Sequence, residues 1–511
     1  MNHRADPKEE PRPTSPFTGT QHLQGPPFWI VDGEAYDLRE WMERHPGGSA
    51  WFVTTQGRDI SALFHSYHRD PQQLRKVLAK YKIHTARPED VLPTLGVPPF
   101  LVAPDFDASR DLPRFDFNRE GTVLGAIQRT MDERLPRAKL RRYDFAFDLV
   151  TALFGLIHLA AVAGLVFHFV SSWIGVSACV LVLVLTRTAL AGAGHYHLHR
   201  RKTAPRSAKR MNFAQALFDI NYVGTCLIGT DGHVLLHHPY LGSGGDVKRT
   251  FFNGMLELHP AFRVVGYTLH KLGICVTGMM ARGYEVNFLE FDRGHLRADF
   301  WLIRLYLMGE LVACAVSGHL VAWIAQFVIT LWLNTFLVVA SHDFEGSDRD
   351  MLARCPLQLR DDWAARQICE SSDLTVIGNR WIDLFLTAGL SPHRVHHVLP
   401  AQRSGFANLA SEAVVRDVCD AHGIPWERPR NLLSERFPQA VKHYLRSPAL
   451  RPPPGPPPPG GPGKGPPPPG GPHSGRPPPP PPPMRGRPGP FTELMICARY
   501  VAMGWRGIGA V

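Results

Sequence analysis

The stretch LVTALFGLIHLAAVAGLVFHFVSSWIGVSACVLVLVLTRTALAGAGHYHLH, residues 149–199, decides the fold class. At about 1.5 Å of rise per residue, residues 149–170 and 173–193 are each long enough to cross a hydrocarbon core about 30 Å thick. Almost nothing joins them, so they read as a helical hairpin that returns the chain to its starting side. A buried hairpin in a large soluble protein is the alternative reading. The block is too long and too apolar for an ordinary core. HYHLH follows just after the second span, so a set of imidazoles sits where the chain leaves the apolar block.

A second apolar block, 300–341, divides near Gly318 into another hairpin. Its first half contains Arg304, which can snorkel to an interface, and Glu310, which needs a partner inside the bundle. Residues 262–281 are moderately apolar, but His270 and Lys271 interrupt their centre, so an interfacial helix is expected there and not a fifth span. The expectation is a membrane domain of about four transmembrane helices in two hairpins. That topology puts the N-terminal region, residues 194–299 and the C-terminal region on one side. The basic clusters RRYDF (141–145) and HRRKTAPRSAKR (199–210) make that side the cytosol.

The chain has 511 residues and is 44% hydrophobic, and its mean hydropathy of −0.13 averages two regimes. Residues 1–27 and 451–511 are expected to lie outside any packed core, the second as a proline- and glycine-rich tail in polyproline II or coil. The formal net charge is +11, but the basic residues gather beside apolar segments and not in one block. This favours an anionic membrane face over nucleic acid, and no nucleic-acid partner is expected. Eight cysteines without a CxxC pair suggest neither a disulfide framework nor a thiolate zinc site. The N-terminal MNHRADPKEEPRPTS has no apolar core, so membrane targeting is assigned to the internal spans.

Between these regimes, residues 28–84 read as a compact α+β unit. A linker over 85–139, a membrane domain over 140–425 and an extension over 426–450 follow. Within the first unit, HPGGSAWFVTTQGRDISALFHSYH (45–68) places His45 in a glycine turn and His68 after an apolar-punctuated segment. Trp51, Phe52, Ile60, Leu63 and Phe64 could line a pocket for a flat macrocycle. Two neutral imidazoles on opposite faces would hold a haem iron with no vacant position, which suits electron transfer and not oxygen chemistry. His65 is a competitor for the second place, and a helix-loop-helix in which His45 only closes a turn is the alternative. The wider pattern of WIVDGEAYDL, HPGG, Gly57, Asp59, Phe64, His68 and YKI (81–83) resembles the cytochrome b5 domain. That resemblance implies haem b, with His45 and His68 as axial ligands.

Such a haem gives and takes single electrons, so an acceptor is expected in the same chain. Three histidine clusters supply it: HYHLH (195–199), HVLLHH (233–238) and HRVHH (393–397). On regular helices His195 and His199 share a face, as do His233 and His237, and His393 and His396. Each adjacent pair turns its second ring about 100° away, so His238 and His397 could reach a second metal. Eight histidines in this pattern suit a dinuclear site. Imidazole serves several metals, and the electron supply favours iron over redox-inert zinc. His342, at the end of the last span, is a ninth candidate. His197 points away from its neighbours, and for His158 and His168, inside the first span, helix packing or an interfacial position is expected and not metal binding. Asp231, Asp246, Asp343 and Asp373 are candidate acceptors for ring N–H groups.

The boxes HxxxH, HxxxHH and HxxHH resemble those of membrane fatty acid desaturases, and residues 140–425 follow that layout. The whole chain is similar to cytochrome b5-fused desaturases and to cytochrome b5-related proteins, on HPGGSAWFVTTQGRDI, AKYKI, the boxes and SHDF. The resemblance implies two non-haem iron ions, O2, a lipid acyl substrate and a cytochrome b5 reductase-type electron donor. It also implies an endoplasmic reticulum membrane, with the haem domain and boxes facing the cytosol. Many front-end fused desaturases begin the third box with glutamine where this chain has His393, a departure that leaves the regiochemistry open. A lipid hydroxylase with the same ligands and a haem electron carrier with a vestigial metal site are the alternatives.

Overall fold

Asp32 and Gly33 both take left-handed backbone, with φ of 52° and 77°, which is the geometry a two-residue hairpin turn of this sequence adopts. They join β1 (Trp29–Val31) to β2 (Glu34–Tyr36), and β3 (Lys82–Thr85) completes an antiparallel sheet in the order β1-β2-β3. The computed structural model describes residues 28–42, 44–46, 52, 55–87, 90, 112–118, 121–199, 233–235, 237–243, 246, 259–265, 268–269, 293–342 and 354–445. Against the sheet lie α1 (Ser61–Tyr67) and α2 (Pro71–Leu78). Trp29, Val31, Leu38, Phe52, Phe64 and Leu78 form the core of this unit, and the Trp29 indole N–H donates to the Phe52 carbonyl at 2.9 Å.

The segment expected to be a linker ends in packed structure. Residues Val123–Arg134 form α3, capped by Thr122, whose hydroxyl accepts from the Gly125 N–H at 3.3 Å. Its apolar residues recur at Val123, Leu124, Ile127 and Met131, one face of a helix. That face is buried against Trp363, Ile368, Val395 and Val415, and Ala62 of α1 joins the same core. The N-terminal unit and the cap that carries the third histidine box are therefore packed together.

Four long helices follow: α4 (Arg137–Val166), α5 (Trp173–Leu198), α6 (Arg293–Val316) and α7 (Leu320–Ala340). Among the described residues three, Arg137–Val166, Trp173–Tyr196 and Leu320–Val338, are long and apolar enough to cross a membrane. The remaining one, α6, carries Arg304 and Glu310. The two hairpins turn where expected, the second at Gly318 with φ of 78°. Leu149, Leu153, Leu156, Leu181, Val312 and Val321 project outward as an apolar surface, which marks these helices as those of a membrane protein.

The partner that Glu310 requires is in the bundle. Its carboxylate pairs with buried Arg187 of α5, accepts from the Trp323 indole N–H at 3.0 Å and lies 3.3 Å from His158 Nε2. Arg187 in turn donates to Gln326 at 2.7 Å. His158 is thus a packing histidine. His168 is not inside a helix as expected: it has φ of 55° in the turn after α4, because the apolar helix stops at Val166. At its other end α4 starts earlier than its apolar run, and Asp144 accepts from Ser404 at 2.7 Å, tying the helix to the cap.

The cap comprises α8 (Trp363–Cys369), α9 (Arg380–Leu386), α10 (His393–Val398) and α11 (Gly405–Ala421), with a parallel pair β4 (Leu374–Thr375) and β5 (Arg430–Asn431). The five described cysteines are free thiols. Residues 1–27, most of 262–281, the tail 451–511, Asp231 and Asp343 lie outside the described residues, as does the side chain of His197.

Candidate metal centre

The first and third histidine boxes lie on α-helices and the second on a wider turn. The first closes α5, so His195 and His199 sit one turn apart at the end of an apolar helix. The third is α10 itself, and the Asp373 carboxylate accepts the Arg394 N–H at 2.9 Å where that helix begins. The second is a wider, π-helical turn in which the His238 N–H donates to the His233 carbonyl at 3.0 Å, five residues back.

These backbones bring the boxes into two adjacent groups of ring nitrogens. His195, His199, His233, His238 and His396 form one, and His237, His342 and His397 the other; within each group the candidate ligand atoms lie within 4.8 Å of one another, and all are buried. His393 joins the second group, with Nε2 3.1 Å from His397 Nε2 and its ring 4.5 Å from that of His342. The grouping corrects two of the expected pairings. In the wider turn His233 faces with His238 and not with His237. In the third box His393 goes with His397, at i,i+4, and His396 goes to the other group.

The donors fit a cation. His233 Nε2 lies 2.7 Å from His195 Nε2, 3.0 Å from His199 Nε2 and 3.1 Å from His238 Nε2. One ring nitrogen carries a single hydrogen or a single lone pair, so hydrogen bonds among these rings cannot satisfy them all. A positive ion accepts several lone pairs at once. Burial, reinforced by the neighbouring rings, holds His238 and His397 well below the ordinary imidazole range, which keeps those lone pairs available.

In the second group the outer nitrogens point away from the centre to fixed partners. His237 Nδ1 is 2.8 Å from Asp246, His397 Nδ1 is 2.9 Å from the Gln367 side-chain oxygen, His393 Nδ1 is 3.2 Å from the Ser341 carbonyl and His342 Nδ1 is 3.3 Å from the Glu370 carbonyl. An N–H donated outward leaves Nε2 as the inward lone pair. Burial alone would raise the Asp246 acid, but the His237 ring beside it prevails and its carboxyl sits well below the usual range. Asp246 therefore takes the role expected of it. Asp373 does not: it meets Arg394 and Arg380, fixing the box helix and no ring. Two partners were not foreseen. Gln367 also donates to the His238 carbonyl at 2.8 Å, bridging the second and third boxes, and the Tyr67 hydroxyl lies 2.7 Å from His199 Nδ1. No spacing rule links either to the boxes; only the packing of α8 and α1 brings them there.

In the N-terminal unit the rings of His45 and His68 come together edge-on, with centroids 6.0 Å apart and planes inclined by 74°, a separation that leaves room for one metal ion between two imidazoles. His68 Nδ1 donates to the Phe64 carbonyl at 2.8 Å, so its Nε2 is free for a metal, and burial pushes its pKa down to about 4. Phe52 and Phe64 flank the pair. His65 is engaged elsewhere, 2.9 Å from the Asp32 carboxylate and stacked on Phe117. The residues present suit a bis-imidazole haem.

Comparison with known proteins agrees with both halves. A model of the cytochrome b5-like haem/steroid binding domain matches residues 19–86, and a fatty acid desaturase model matches residues 171–430, just over half the chain. An acyl-lipid omega-13 desaturase of Chlamydomonas reinhardtii is 24% identical over 445 residues, covering 79% of this chain and 90% of the relative. A probable Delta(5) fatty acid desaturase C of Dictyostelium discoideum is 21% identical over 436 residues, covering 78% and 87%. A cytochrome b5-related protein of Drosophila virilis is 33% identical over 66 residues, 13% of this chain and 46% of the relative. No solved structure matches. With its histidine boxes gathered in the matched region and its haem-type pocket ahead of them, the chain belongs to the fatty acid desaturase family and carries a fused cytochrome b5-like domain.

Proposed function

We propose that this protein is an O2-dependent acyl-lipid desaturase of the endoplasmic reticulum membrane, fed with electrons by its own haem domain. The observation that carries the reading is the convergence of nine buried histidines, from the three boxes and the turn after α7, into two adjacent groups against which the haem-type unit is packed. His195, His199, His233, His238 and His396 would hold one iron, and His237, His342, His393 and His397 a second. Bound iron supplies the O2 activation that removes two hydrogens from an unactivated acyl chain.

The protein's own residues do the rest. Asp246, Gln367, Ser341 and Glu370 fix ring orientation, so the inward nitrogens are set before any metal arrives. The burial of the whole histidine set keeps bulk water away from the place where the metal would bind. In balance, one –CH2–CH2– unit, O2, two electrons and two protons give one double bond and two waters. His45 and His68 would hold a haem that supplies single-electron transfer, with a separate cytochrome b5 reductase-type donor as its source. The haem unit and the boxes share the cytosolic face, consistent with the basic clusters beside the first hairpin.

The test is the metal and haem content of the detergent-purified protein, for wild type, H396A/H397A and H68A, followed by lipid product analysis. Two non-haem irons per haem, lost only in the box variant, with a new double bond in an acyl chain, are expected. Haem with empty boxes after iron-replete expression would leave an electron carrier, and a hydroxylated product would make the protein a hydroxylase.

A further inference from the structure

The residue beside the second haem-facing histidine reaches into the metal centre. Tyr67 precedes His68 at the end of α1, and its hydroxyl lies 2.7 Å from His199 Nδ1, with the two rings inclined by 26° and their centroids 6.4 Å apart. His199 Nε2 in turn lies 3.0 Å from His233 Nε2, at the middle of the five-histidine group. One covalent neighbour and one hydrogen bond thus separate the His68 backbone from a ring of the metal site. We infer that Tyr67 is the link through which single electrons pass from the haem domain to the histidine boxes.

The contact is built and not incidental. Leu63 and Tyr67 pack against Ala191 of the box-bearing helix and Val234 of the second box. The Gln128 amide donates to the carbonyls of His65 at 3.0 Å and His68 at 3.1 Å, holding the histidine-bearing segment against α3. The Tyr240 hydroxyl, just beyond the second box, donates to the Asp59 carbonyl at 3.3 Å. These contacts fix the distance between donor and acceptor without an encounter step.

In each transfer the haem iron is oxidised by one electron and a box iron is reduced by one, while Tyr67 ends as the phenol it began. The electron comes from the external donor of the proposed function, on which this inference rests.

The experiment uses the full-length protein loaded with haem and iron. A flash with a deazaflavin dye reduces the haem under anaerobic conditions, and the decay of ferrous haem absorbance is followed. Wild type is expected to show a decay phase independent of protein concentration, and its absence would count against the proposed function itself. Y67F is expected to slow that phase by about tenfold, equivalent to about 1.4 kcal/mol of barrier. Its haem spectrum, iron content and bimolecular oxidation by ferricyanide should stay at wild-type values. Y240F, which removes a docking hydrogen bond outside the link, is expected to keep the wild-type rate. Three results would overturn the inference while leaving the proposed function standing. They are a wild-type rate in Y67F, equal slowing in Y240F, or loss of box iron from Y67F with haem retained, which would make Tyr67 a ligand-orienting group only.

Discussion

The amide of His238 bonds to the carbonyl of His233, five residues back at 3.0 Å, where an ordinary helix would bond four back. This one bond decides how the second box divides. It sets His233 and His238 on one side and delivers His237 to the other group.

Single alanine replacements in this box should therefore remove different metals. H238A is expected to lose the ion of the five-histidine group and keep its neighbour, and H237A the reverse. Iron quantification with Mössbauer spectra of the two variants would show two distinct residual sites. Identical spectra would contradict the division.

D246N keeps a side-chain oxygen near His237 Nδ1 but removes the charge. Loss of such an outer partner typically costs about 10–100-fold in metal affinity. Iron titration of the apo-protein should show weakening of one site only, the one that His237 serves.

The two histidines of FHSYH should separate cleanly. H68A is expected to abolish the six-coordinate haem spectrum. H65A should retain it but destabilise the domain by about 1–3 kcal/mol, because Asp32 loses a buried hydrogen-bond partner. Absorbance spectra and thermal melts of the two variants provide the check.

Stability without haem should depend on pH through His68. Its folded pKa, about 4, lies below the ordinary histidine value of about 6.5, so the unfolded chain binds the proton more readily. The stabilisation from this buried neutral ring is full above the unfolded value and is lost as the pH falls towards the folded one. Melts of the haem-free protein between those limits should show a falling midpoint that H68A lacks.

E310Q leaves Arg187 buried without its counter-ion. Breaking such a pair costs about 3–5 kcal/mol. The detergent-solubilised variant should melt earlier, with its iron content intact when purified in the cold.

Much of this architecture is legible in the chain. The Asp-Gly hairpin, the two apolar hairpins and the turn at Gly318 follow from local rules of backbone conformation and hydropathy, so they appear where the sequence puts them. The three boxes are equally visible, because HxxxH spacing is a local pattern. Assumptions of regular helix geometry fail at the second box, whose turn is wider, and Asp373, expected beside a ring, instead meets Arg394 at the start of α10 and Arg380 of α9. The helix at Val123–Arg134 is read as linker because prolines and glycines upstream dominate the segment, although its own apolar spacing is helical.

The sequence by itself determined the two modules, the membrane hairpins and the imidazole supply, since each depends on residues close together in the chain. Only the tertiary structure decided which histidines share a group, that Glu310 meets Arg187, that Gln367 bridges two boxes and that Tyr67 touches His199. Those contacts join residues 132 positions apart in the last case and 201 apart between His195 and His396, and they arise from how apolar faces pack, which no local spacing encodes.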